Sequence, residues 1–140
     1  MKVLKVVAVL LLTALLLAGC YSRAQYNENT VLVYKLKGMD VQVQLTPEEA
    51  RQVAELFDGQ KIEYWIDWNT WELKYYGYGC SYSPSMYISI GDTVYYIADD
   101  GCGTVRIGEG EDVPYFELTY EAEQEILELF RKYTGLERPY

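Results

Sequence analysis

Two amphipathic helical patterns 73 residues apart, each preceded by strand-like sequence and separated by nothing helical, leave this 140-residue chain few ways to fold. Thr46 opens the first as an N-cap. Pro47 takes the first helical position, where its missing N–H costs nothing, and Glu49 completes a Thr-x-x-Glu capping box. Ala50, Val53, Ala54 and Phe57 then share one face, and Gly59 stops a helix expected over 46–58. The second helix, expected over 119–133, puts Ala122, Ile126, Leu129, Phe130 and Tyr133 on its apolar face and stops at Gly135. Leu45, Thr46, Glu48, Glu55, Leu56 and Phe57 recur as Leu118, Thr119, Glu121, Glu128, Leu129 and Phe130, and an Asp-Val step leads into each unit at Asp40-Val41 and Asp112-Val113. The chain thus reads as two hairpin-helix modules. Internal duplication and shared capping chemistry explain the likeness equally well.

Strands are expected at 31–36, 41–45, 61–66, 87–90, 93–98 and 103–107. Val41, Val43 and Leu45 alternate with Gln42 and Gln44, as in a half-buried strand, and Gly91-Asp92 supplies a two-residue hairpin turn. The fold class is α+β: a mainly antiparallel sheet, with residues 61–107 at its centre, under two amphipathic helices. Residues 30–140 suffice for one domain with a modest core.

Ahead of that domain, Lys2 and Lys5 precede an apolar run at 6–17, interrupted only by Thr13 and closed by Leu17-Ala18-Gly19-Cys20. Such a run falls short of the roughly 20 residues that a spanning helix needs. It resembles the signal peptide and lipobox of bacterial lipoproteins, over the first 20 residues alone. The resemblance implies that residues 1–19 are removed and that Cys20 becomes the new amino terminus, carrying a thioether-linked diacylglyceryl group of the palmitate kind. It implies also that residues 20–29 form an acylated, flexible tether. The lipid bilayer is then the first partner, and the domain sits on the non-cytoplasmic side of the cell membrane or outer membrane. Each buried methylene contributes about 0.8 kcal/mol, so two acyl chains suffice for anchoring. An ordinary secretory signal, leaving Cys20 as a free thiol, is the rival reading. Further on, the order of hairpin, Asp-Gly-Cys-Gly-Thr turn and closing Glu-Leu-Phe helix resembles that of small uncharacterised lipoproteins of anaerobic Gram-positive bacteria. That resemblance implies no activity and no site residue.

Ten basic and 21 acidic residues follow Gly19, a net charge of −11. Nucleic acid is excluded as a partner by the want of clustered Lys and Arg, and adsorption to anionic lipid is disfavoured. With Cys20 assigned to lipid, Cys80 and Cys102 remain as an even pair in an oxidising compartment and are expected to form a disulfide. A metal or redox role for them lacks the Cys-x-x-Cys spacing and any histidine.

The compositional oddity is aromatic. Tyr64, Trp65, Trp68, Trp71, Tyr75, Tyr76, Tyr78, Tyr82 and Tyr87 crowd one segment, more than a small core can hide. Trp65, Trp68, Trp71, Tyr75, Tyr78 and Tyr82 are therefore the candidate binding residues, for an envelope protein or a glycan. Core packing of part of this segment is the plainer alternative. The absence of histidine removes Ser-His-Asp and Cys-His nucleophiles and histidine-bound zinc. Neither Asp99-Asp100 nor the acidic run 109–112 has the ligand spacing of a calcium loop, and no phosphate-binding loop is present. The expectation is a non-catalytic binding module without cofactor or metal. A small carboxylate-dependent hydrolase or glycan-processing enzyme and a structural envelope component are the alternatives.

Overall fold

A computed structural model describes residues 6–7 and 21–140 apart from Glu111; the rest of the leader and Cys20 lie outside the described residues. Alternation along the strands decides the layers. Leu32 and Tyr34 of β1 (Thr30–Tyr34), Met86, Ile88 and Ile90 of β5 (Tyr82–Ile90), Tyr95 and Ile97 of β6 (Thr93–Ala98), Val105 of β7 (Thr104–Ile107) and Phe116 of β8 (Tyr115–Glu117) are buried in one cluster. Val41 and Val43 of β2 (Val41–Gln44) pack against its margin. These strands form one six-stranded sheet in the order β2-β1-β5-β6-β7-β8, antiparallel throughout. The α+β class and the antiparallel sheet expected from the sequence are therefore present.

Both helices lie on the same face. α1 (Pro47–Phe57) has the full capping box: Glu49 N donates to the Thr46 hydroxyl while the Glu49 carboxylate accepts from Thr46 N at 2.9 Å. α2 (Tyr120–Thr134) is capped by Thr119 and ends at Gly135, whose φ of 70° is the left-handed conformation that glycine adopts without cost. The helices run antiparallel: Glu49 meets Lys132 and Tyr133, and Gln52 meets Glu125. Each helix packs over the other's hairpin. Phe57 of α1 meets Tyr95 at a tilt at 5.0 Å and Phe116 edge-on at 5.6 Å, and Phe130 of α2 meets Tyr34 edge-on at 6.2 Å.

Two expectations change. The strand read at 61–66 is not part of the sheet's centre. β3 (Tyr64–Asp67) pairs only with β4 (Glu72–Tyr75), a strand the sequence did not betray, in a separate two-stranded ribbon. The physical reason is local: the register puts Tyr64, Ile66, Leu73 and Tyr75 on one face of the ribbon and Trp65, Asp67, Glu72 and Lys74 on the other, and the Asp67 to Glu72 turn offers the nearest partner strand. Nor is 21–29 free in the structure. Ser22 and Ala24 are buried, Tyr21 forms a β-bridge with Lys61, and Ser22 N donates to Gln60 O at 2.7 Å. The Ser22 hydroxyl donates to the carbonyl of Phe57 and so satisfies one of the acceptors that the end of α1 leaves without a partner.

Candidate functional site

The sheet face away from the helices carries a transverse row set by strand register. Val33 stands opposite Tyr87, Tyr87 opposite Tyr96, Tyr96 opposite Arg106, and Arg106 opposite Tyr115. β5 departs from regular pairing between Tyr82 and Tyr87, spending five residues where β6 spends two, and Pro84 with its missing N–H falls inside that irregularity. The excursion brings Tyr82 back over the row. Its ring lies 5.6 Å from that of Tyr115, and the Arg106 guanidinium sits over two rings, 5.4 Å from Tyr82 and 4.6 Å from Tyr96.

Around this cation opens a cavity of about 560 Å³, lined by Gly77, Tyr78, Gly79, Cys80, Tyr82, Arg106, Gly110 and Tyr115. The Cys80–Cys102 disulfide is present, with Cα atoms 6.3 Å apart, and clamps one wall. Asp100 reinforces it by accepting from Ser81 N at 2.8 Å and Cys102 N at 3.3 Å. Arg106 takes part in none of the ion pairs among the described residues, and its Nε is buried without a hydrogen-bond partner. Burial pushes the Tyr82 phenol above its ordinary range, against the lowering effect of its 2.5 Å contact with the Thr104 hydroxyl; burial likewise raises Tyr78. The Tyr96 phenol is raised by burial and by donating to Glu109 at 2.8 Å. These hydroxyls therefore stay protonated at neutral pH, as donors beside a cation.

The candidate residues divide between two places. Tyr78 and Tyr82 line the cleft; Trp65, Trp68, Trp71 and Tyr75 lie on or at the tip of the ribbon; Cys20 is outside the described residues. Trp68 and Trp71 are 71% and 74% exposed and meet edge to face at 5.5 Å, and Trp65 is 44% exposed, so the expectation of a partly exposed aromatic segment is met by the tryptophans. Lys74 fastens the ribbon to the body through Asp112 at 2.6 Å. Arg106, Tyr96 and Tyr115 were not legible as site residues. The available signal was that Arg106 is the only basic residue between Lys74 and Arg131, on a strand facing tyrosines.

Trp71 has φ +59°, in the left-handed region where a bulky side chain costs roughly 1 kcal/mol. It closes the ribbon's turn, its N–H donating to Asp67 O at 2.7 Å. Trp71→Gly is expected to leave the fold intact and to change its stability by less than about 0.5 kcal/mol in urea unfolding, because relief of the left-handed backbone is offset by the greater freedom of glycine in the unfolded chain. A destabilised variant would mean that the indole holds the ribbon together.

No protein family, curated protein or solved structure matches the chain. Among the described residues, no helix is long and apolar enough to cross a membrane.

Proposed function

We propose that this is an exported lipoprotein, held on the non-cytoplasmic face of a membrane by an acylated Cys20, that binds an acidic sugar in the cleft around Arg106 without turning it over. One observation carries the ligand class: the lone cation of the cleft sits over the Tyr82 and Tyr96 rings, outside any ion pair among the described residues, with a buried Nε that has no partner. A planar guanidinium so held presents a fork that matches a carboxylate. The cleft's tyrosine rings offer faces for a sugar ring, and the cavity falls within the size range of small-molecule sites.

The test is calorimetric titration of the protein with a uronic-acid oligosaccharide and with its neutral counterpart. Saturable binding of the acidic sugar alone is expected. Arg106→Gln should weaken it about tenfold to a hundredfold, the size of a lost charged hydrogen bond, and Arg106→Lys should restore only part of it. Equal binding of both sugars, or an unaffected Arg106→Gln, would refute the reading.

A further inference from the structure

All three tryptophans of the chain lie on the β3–β4 ribbon or its turn, together with exposed Ile66 and Leu73, and no described element covers them. The strained Trp71 backbone makes the point sharper: a residue that costs stability where it stands, and whose side chain is mostly in solvent, is not explained by packing. The ribbon's charges are largely paired or folded back. Lys61 pairs with Glu63 at 3.0 Å, Lys74 with Glu72 at 3.3 Å and Asp112 at 2.6 Å, and the Asp67 carboxylate accepts from Asn69 N at 2.9 Å.

The path of the amino-terminal segment says what the ribbon faces. Tyr21 bridges antiparallel to Lys61, and Ser22 is bonded to Gln60 and Gly59. Traced backward through Ser22 and Tyr21, the chain therefore runs in the direction of Ile62 and β3. Tyr21 itself therefore lies beside the ribbon's root, its bridge partner Lys61 being three residues ahead of β3. Any slack that a flexible 20–29 tether would have supplied is removed by the burial of Ser22 and Ala24.

We propose that the ribbon dips Trp68 and Trp71 into the interfacial layer of the same bilayer that holds the Cys20 acyl chains, so that the domain is oriented as well as tethered. Indole combines an apolar body with a polar N–H, the chemistry that suits the boundary between headgroup and acyl chain. The net charge of −11 turns the ribbon toward zwitterionic rather than anionic lipid. This inference rests on acylation of Cys20 and is independent of the ligand in the Arg106 cleft.

The native tryptophans report on the ribbon alone. Acylated protein purified from membranes is reconstituted into phosphatidylcholine vesicles with and without brominated acyl chains, and flotation and tryptophan emission are measured together. The expected result is flotation, a blue shift, and strong loss of intensity with the brominated lipid. Trp68→Ser with Trp71→Asn, the latter suited to the left-handed backbone, should abolish most of the bromine-sensitive signal and leave flotation intact. Flotation with emission that stays red and is quenched by aqueous iodide instead would overturn the ribbon's role while acylation stands. Failure to float would sink both.

Discussion

Glu49→Gln is expected to cost the fold about 2 kcal/mol at pH 7, and the wild type should lose a similar amount as the pH falls from 4.5 toward 2. The Glu49 carboxylate is buried between the helices, where burial alone would raise its pKa. Hydrogen bonds from Lys132 at 2.7 Å, from Thr46 N, from the Tyr133 hydroxyl at 2.8 Å and from the Thr46 hydroxyl more than reverse that effect and hold it at about 2, against an ordinary 4.5. Because the folded value lies below the unfolded one, the stabilisation is fully present above pH 4.5 and disappears through the window down to about 2. A shift of this size has a ceiling of about 3 kcal/mol, reduced here because Lys132 is largely in solvent. Urea unfolding at pH 7 and at steps down to pH 2.5 checks both halves. The variant should show a flatter dependence across the acid window, and an unchanged slope would place the acid sensitivity elsewhere.

Reducing the Cys80–Cys102 bridge, or replacing both cysteines by Ser, is expected to lower stability by roughly 3 kcal/mol, the chain-entropy value for a closed loop of this length. The sheet should survive, because Asp100 still holds the backbone of Ser81 and Cys102. The cleft should suffer more, since Gly77 to Cys80 form its wall. Thermal unfolding with and without reductant, beside sugar titration of the reduced form, separates the two effects. A bridge whose removal leaves the melting temperature unchanged would contradict this account.

Much of the architecture was legible because its signals are local. The Thr46 and Thr119 caps, the apolar faces of both helices and the Gly91-Asp92 turn are written in spans of a few residues, and all appear in the structure. The disulfide followed from counting cysteines. The ribbon was misplaced because 61–66 reads as an ordinary strand of the main sheet, and its actual partner, the short β4, gave no signal of its own. β4 was missed because its Glu-Leu-Lys-Tyr sequence alternates too briefly to register. The cleft was hidden for a different reason: Tyr82, Tyr96, Arg106 and Tyr115 come from four strands, and only the register and the irregular stretch of β5 bring them together.

The crossed placement of the helices means that this molecule has no half that can stand by itself. The later helix in the chain is the one that shelters Tyr34 on β1, while the earlier helix waits for Phe116 on β8. Contacts so distant along the chain fold slowly and as a unit, so a molecule emerging amino end first remains open until almost all of it has arrived.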